Sequence, residues 1–299
     1  MININNKFKQ SKNFFILLNF LKISSILSLP SIFGIILSLI SIPIHLQING
    51  KLDYGNYIFF HFIFSFSLLL NLGINKIVAI ELAKKIFITQ IIKQSLILTL
   101  KLVLVIIFCA FVLFFFINDF IYVITLGLGI VISIIYLTLE GILQGFRKFK
   151  FLSIANFIFY TLSLNIPSII LILSEKLTFR TLILISIFFK IFAVIIILFS
   201  IKNYFFVNKK KSYNFFLNFK KYSKWYFLHM VNLQIFDFVD KYLIKIFMGP
   251  IALAIFSIPY QLAGKITIFS KSISAVLLPE IARGKEKLNF NNAILIYTF

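Results

Sequence analysis

The fold is decided by residues 237–280, which read DFVDKYLIKIFMGPIALAIFSIPYQLAGKITIFSKSISAVLLPE. Two long apolar runs meet there at Met248-Gly249-Pro250, and a Gly-Pro pair is typical of a turn. Each run is long enough to cross a bilayer, which takes about 20 residues of α-helix. Charged residues lie within both runs, although a charge at the centre of a spanning helix costs roughly 2.5–3.5 kcal/mol. The stretch therefore predicts a membrane hairpin whose charged side chains mark a pathway or a binding site.

The composition extends this interpretation to the whole chain of 299 residues. Hydrophobic residues make up 61% and charged residues 13%, whereas an average soluble domain is about 25% charged. We therefore expect an all-α, polytopic membrane helical bundle of about eight spans. The apolar runs place these spans at 24–47, 56–80, 94–117, 120–143, 151–173, 181–201, 222–247 and 250–276.

The formal net charge of +21 does not indicate a nucleic-acid partner, because the basic residues are spread over short connections between apolar runs. Of the 30 lysines and arginines, twenty lie in the N-terminal segment and in alternate connections, and five lie on the opposite side. The positive-inside rule then places the N-terminus in the cytoplasm. The remaining five lie within spans: Lys76, Lys101, Lys190, Lys265 and Lys271.

Few groups in the sequence suit catalysis or a cofactor. Cys109 is the only cysteine, so the chain has neither an internal disulfide nor a cysteine metal cluster. His45, His61 and His229 lack the spacing of metal ligands. No glycine-rich phosphate loop and no nucleophile–base motif is present. We therefore expect a carrier rather than an enzyme, with no metal and no cofactor.

The chain contains an internal repeat. A shift of 199 residues places the first two spans on the seventh and eighth without gaps, with Gly50 on Gly249 and Glu81 on Glu280. Because six spans lie in one period, both copies have the same orientation, and their symmetry axis runs along the membrane normal. The predicted domains are an N-terminal six-helix lobe, a basic cytoplasmic linker and the first part of a second, incomplete lobe. They cover residues 1–205, 206–221 and 222–299.

Several short motifs lie within the predicted spans or close to their ends. They are Tyr54-Gly55, Asn71-Leu-Gly73, Gly141-Ile-Leu-Gln144-Gly145-Phe146, Asp240-Lys241, Gly249-Pro250, Tyr260-Gln261 and Leu278-Pro279-Glu280. Together they resemble the polysaccharide flippases, which are the O-antigen and lipid-linked oligosaccharide exporters of the multidrug/oligosaccharidyl-lipid/polysaccharide exporter superfamily.

The resemblance implies two lobes around a central cavity in a bacterial inner (plasma) membrane. It implies alternating access that moves an undecaprenyl-diphosphate-linked glycan from the cytoplasmic to the periplasmic leaflet. The lipid bilayer and the anionic lipid-linked glycan are then the expected partners. The glycan polymerase and ligase of the same pathway are candidate partners.

A flippase for a diphosphate headgroup needs cations at bilayer depth, and lysine supplies them as point charges. The candidate cavity cations are Lys190, Lys265, Lys76, Lys101 and Lys271. The alternative for each is that it snorkels to an interface or pairs structurally.

Helical spacing adds polar candidates for the same cavity. On the seventh span, at 100° per residue, His229, Asn232 and Asp240 share a face, with Asp237 and Lys241 beside it. Asp237 and Lys241 are spaced to form an i, i+4 ion pair, for which structural pairing and proton coupling are both open. On the eighth span, Gln261 belongs to a second polar stripe. The sequence predicts that the two stripes face each other across the cavity.

Three other interpretations remain open from the sequence. A cation-coupled multidrug exporter of the same superfamily would favour an acidic, aromatic cavity. A membrane glycosyltransferase or polymerase usually has long extramembrane loops with catalytic acids or arginines, and the connections here are short. Because the chain ends before a second six-helix lobe is complete, a nonfunctional truncated flippase fragment is a further alternative.

The charge asymmetry predicts a topology that reporter fusions can measure. Fusions after Lys85, Lys148 and Lys210 should report the cytoplasm, because lysine-rich connections resist translocation. A fusion near Asn118 should report the periplasm. Two or more fusions on the wrong side would contradict the assignment.

Overall fold

The computed structural model describes residues 2–84, 87–115, 120–174, 177–204, 214–264 and 268–282. Every regular element in these ranges is a helix, so the predicted all-α bundle is confirmed. The helices are α1 (Ile2–Ile48), α2 (Gly50–Ser65), α3 (Ser67–Leu70), α4 (Ile74–Ala83), α5 (Ile88–Phe114), α6 (Phe120–Gly145), α7 (Phe149–Asn156), a π-helical turn (Phe157–Leu162), α8 (Ser163–Ile170), α9 (Phe179–Ile201), a 3-10 turn (Lys202–Tyr204), α10 (Phe215–Gly264) and α11 (Ile268–Ala282).

Six helices in the described residues are long and apolar enough to cross a membrane. The pair Gly50–Leu70 and Ile74–Ala83, bent by 51°, makes a seventh if it counts as one span. The chain is therefore a multi-pass membrane protein. α10 begins at Phe215, inside the predicted linker 206–221, and residues 205–213 lie outside the description.

The predicted turn at Met248-Gly249-Pro250 is present and interrupts α10. Gly249 has φ 83° and ψ 175°, which are not helical values. Gly50, its counterpart in the predicted repeat, has φ 80°. Both glycines thus adopt a left-handed φ that residues with a Cβ rarely take. This agreement supports the repeat, whereas the superposition of the two pairs of spans stays a prediction.

A proline in α8 shows how the first bundle (α1 to α9) satisfies its backbone. Pro167 has no N–H, so the carbonyl of Ser163 loses its helical donor. The Tyr57 hydroxyl of α2 donates to that carbonyl at 3.3 Å and to the carbonyl of Leu164 at 2.8 Å. An unsatisfied backbone group in lipid costs several kcal/mol, and this contact therefore fixes α2 against α8.

Two glycines four residues apart bring α6 to within backbone distance of α4. A Cβ added to Gly141 would lie 2.2 Å from the carbonyl oxygen of Asn75. One added to Gly145 would lie 2.6 Å from the Cβ of Leu82. Such a small-xxx-small pair allows membrane helices to pack closely. The Gly141–Gly145 motif therefore has a structural role.

α10 packs against the first bundle mainly along α2. A Cβ added to Gly55 of α2 would lie only 2.0 Å from the carbonyl oxygen of Pro250. Leu253 and Ala254, in the next turn of α10, are fully buried. This close contact lies at one end of the interface between α2 and α10. A cavity begins one turn further along α2, at Ile58.

The glycine contact between α4 and α6 predicts a position-specific loss of stability. Gly141→Ala should lower the free energy of unfolding by about 1–3 kcal/mol, the usual cost of overpacking. Gly127→Ala, also in α6, is the matched control, because its Cβ would meet only the Cβ of Ala110 at 3.4 Å. Thermal unfolding in detergent measures both variants. Equal melting temperatures for the two would contradict the assigned role of Gly141.

Candidate functional site

A cavity of about 220 Å³ lies where the first bundle meets α10. α2 supplies the largest share of its lining, and α3, α6, the π-helical turn, α8, α9 and α10 supply the rest; four of the fifteen lining residues are phenylalanine or tyrosine. The lining residues are Ile58, His61, Phe62, Phe64, Ser65, Ser67, Leu68, Ser133, Leu137, Phe159, Tyr160, Ser163, Leu164, Lys190 and Gln261. Lys190 is the one lysine in this set, and the set contains no acidic residue.

Lys190 of α9 holds a buried ammonium between two aromatic rings. Its side chain is 4% exposed, and Nζ lies 4.0 Å from the ring centroid of Phe64 and 5.1 Å from that of Phe159. No carboxylate among the described residues lies within ion-pair distance of it. Desolvated cation–π contacts are worth about 2 kcal/mol, which is less than the several kcal/mol that burying an ion costs. The protonated form of Lys190 is therefore under-compensated, and an anion that enters the cavity would stabilise it.

The π-helical turn sets the orientation of one of these rings. Phe159 lies within the turn and stacks on Tyr136 of α6, with the ring centroids 3.7 Å apart and the planes at 11°. The Tyr136 hydroxyl donates to Asn156 Oδ1 at 2.5 Å, just before the turn. Single π-helical turns are frequent at functional sites because they re-aim side chains. Here the turn presents a ring face to Lys190.

His61 connects α2 to α9 beside the cavity. Its Nε2 lies 3.3 Å from the Ser186 hydroxyl of α9. Its ring contacts those of Tyr57 and Phe64, with centroids 4.8 Å and 5.7 Å away. His61 was not among the predicted cavity residues, although its i, i+4 spacing from Tyr57 in an apolar helix was a usable signal.

Of the three predicted cavity cations whose side chains the structure describes, one lines the cavity. Lys190 lines the cavity. Lys76 is half-buried in the first turn of α4 and interacts electrostatically with Glu140 of α6. Lys101 is exposed on α5 and does not line the cavity. The described residues do not include Lys265 or the side chains of Lys271 and Asp237, which were also predicted to line the cavity.

Three residues of the polar face predicted for the seventh span lie outside the cavity lining. His229, Asn232 and Asp240 are exposed on α10 and are not among the lining residues. α10 instead packs through the face that carries Gln234 and Lys241, which are both buried. Helical spacing groups His229, Asn232 and Asp240 on one face, but it could not show which face of α10 meets α2.

Two predicted polar residues do lie at the contact with α2. Lys241 is enclosed by aromatic rings, with Nζ 4.2 Å from the ring centroid of Phe62 and 3.8 Å from that of Tyr260. Gln261 lines the cavity and donates through Nε2 to the Tyr54 hydroxyl at 3.2 Å. Gln261 is thus, with Lys190, a predicted polar residue that can contact a molecule in the cavity.

Comparisons with known proteins agree with this architecture. A family model described as "Polysaccharide biosynthesis protein" matches residues 20–285. A solved structure, of a chain named protein A, is similar with a TM-score of 0.70 and 11% sequence identity, covering 92% of this chain and 68% of that chain. At this identity the likeness shows the fold alone. No curated protein matches the sequence significantly.

Proposed function

Because the chain belongs to the polysaccharide biosynthesis protein family, we propose that it is a flippase for an undecaprenyl-diphosphate-linked glycan. Family membership confirms the resemblance that the sequence motifs indicated. The proposed movement is from the cytoplasmic to the periplasmic leaflet of a bacterial inner membrane. The observation that carries the proposal is the buried ammonium of Lys190 in an aromatic cavity without an acidic lining residue.

The chemistry of the cavity suits a phosphate group. A headgroup that enters the protein loses its water, and the three N–H donors of a lysine replace part of that hydration. Phe64 and Phe159 hold the ammonium through their ring faces without neutralising it. Aromatic ring faces such as that of Tyr160 also suit the apolar face of a sugar.

The size of the cavity limits what it holds at one time. Its volume of about 220 Å³ is below the roughly 300–1,000 Å³ of sites for drug-sized ligands. It therefore accommodates the headgroup, whereas the polyprenyl chain and the distal sugars need further space. Separation of α10 from the first bundle would supply that space.

Alternating access requires contacts that break at each end of the interface in turn. At one end, the backbone of Pro250 lies against Gly55. At the other end, the Phe215 N–H donates to Gln94 Oε1 at 2.6 Å, and Asn218 Nδ2 donates to Glu81 Oε1 at 3.3 Å. Each such hydrogen bond contributes about 0.5–3 kcal/mol, so the binding energy of a substrate is of the right size to exchange individual contacts of this kind.

The multidrug alternative is less well supported by the cavity. Exporters of cationic drugs need carboxylates to attract their substrates, and the described lining supplies Lys190 but no carboxylate. A positive site repels cations and attracts anions by several kcal/mol at low dielectric. The sign of the charge therefore favours an anionic substrate.

Removal of the ammonium should impair transport without unfolding the protein. In proteoliposomes that contain a fluorescent undecaprenyl-diphosphate-linked sugar, Lys190→Met should lower the transbilayer rate by at least tenfold. This follows from the loss of one charge-assisted hydrogen bond, worth about 1.5–3 kcal/mol. Lys190→Arg should retain part of the rate because it retains the charge.

Two controls separate function from stability. Lys150→Met removes an exposed lysine outside the cavity and should leave the rate unchanged. The melting temperature of Lys190→Met should equal or exceed that of the parent, because an apolar chain replaces a buried ion. Parental transport by a folded Lys190→Met variant would overturn the proposal.

A further inference from the structure

The outer surface of α5 carries a charge that the proposed transport does not use. Lys101 lies midway between Ile88 and Phe114, the ends of this 27-residue helix, and its side chain is exposed. The predicted span 94–117 begins seven residues before Lys101. At a rise of 1.5 Å per residue, Lys101 lies about 10 Å inside a hydrocarbon region that is about 30 Å thick.

The surface around Lys101 is apolar. Its large neighbours on this face are 47–66% exposed: Ile97, Leu100, Leu104, Val105 and Phe108. Lys101 forms neither a hydrogen bond nor an ion pair with any residue that the structure describes. Ionisable groups at this depth normally face a bundle interior or a water-filled cavity and pair there. The described part of the chain gives Lys101 no such environment.

Five of the exposed residues of α5 have the spacing of a helix-packing seam. They recur at alternating intervals of four and three residues: Ile97, Lys101, Leu104, Phe108 and Phe111. This is the 3.5-residue period of left-handed helix pairs, which also predominate between membrane helices. Lys101 lies within the seam, where a single polar residue specifies partner and register.

The outer face of α9 provides an internal comparison. Its exposed residues between Leu184 and Phe199 are apolar, as contact with lipid requires, and they include Phe188, Phe192 and Ile195. Lys190, which lies between them in sequence, is turned into the cavity. An exposed lysine at mid-helix is therefore not a general feature of the outer surface of the first bundle.

We propose that this face of α5 docks a membrane-spanning helix of a different protein, and that a carboxylate on that helix pairs with Lys101. A charge-assisted hydrogen bond inside the seam would offset the desolvation of both ions. A two-fold dimer through the same face would bring two Lys101 ammonium groups together, which disfavours a second copy of this chain as the partner. Snorkelling of Lys101 to the lipid headgroups is the competing outcome.

The test uses the full chain in phosphatidylcholine vesicles with a synthetic leucine–alanine transmembrane peptide that carries one central aspartate. Energy transfer between a donor on the protein and an acceptor on the peptide measures binding. The aspartate peptide should bind at least tenfold more tightly than the same peptide with leucine at that position. Lys101→Leu should abolish this preference, and Lys101→Arg should retain it.

Lys93→Leu is the matched control, because Lys93 is an exposed lysine nearer the start of the same helix. It should leave the preference for aspartate intact. The proposal is overturned if the two peptides bind the parent equally, or if Lys101→Leu retains the preference. It is also overturned if anionic phosphatidylglycerol in the vesicles removes the preference, because Lys101 would then be held by lipid headgroups.

Discussion

Hydrocarbon offers no hydrogen-bond partner to a backbone or charged group, and the packing of this protein depends on that constraint. Pro30 interrupts α1 and leaves the carbonyl of Ile26 without its helical donor, and the Ser153 hydroxyl of α7 donates to it at 2.7 Å. Asn165 Oδ1 of α8 accepts hydrogen bonds from two buried serines of α1, Ser38 and Ser41, at 3.0 and 2.7 Å. A neighbouring helix thus satisfies the carbonyl that each of Pro30 and Pro167 leaves without a donor, and these bonds fix the helices of the first bundle against one another.

The same constraint gives the cavity its chemical character. A polar group that the bundle satisfies is structural, as Asn165 is, whereas Lys190 has aromatic rings around it and no carboxylate within ion-pair distance among the described residues. The protein therefore carries the cost of a buried charge that an anionic headgroup would offset. This difference between satisfied and unsatisfied groups separates the proposed binding site from the scaffold around it.

Local sequence signals predicted most of the helices but only part of the site. The apolar runs and the Met248-Gly249-Pro250 turn report on single segments, so they could be read directly from the sequence. Which face of α10 meets α2 depends on the close contact at Gly55, and helical spacing alone could not show it. Phe159 could not be singled out among 40 phenylalanines, because its role comes from a π-helical turn that has no clear sequence signal.

The central claim is that the Lys190 ammonium binds the diphosphate of the lipid carrier. Solid-state NMR can measure the distance between the ¹⁵N nucleus of this side chain and the ³¹P nuclei of undecaprenyl diphosphate bound to the reconstituted protein. A charge-assisted hydrogen bond holds nitrogen and oxygen about 2.7–2.9 Å apart, so the account predicts a nitrogen–phosphorus distance of about 4 Å or less. A distance beyond about 6 Å, with the lipid bound, would exclude such a hydrogen bond and contradict the claim.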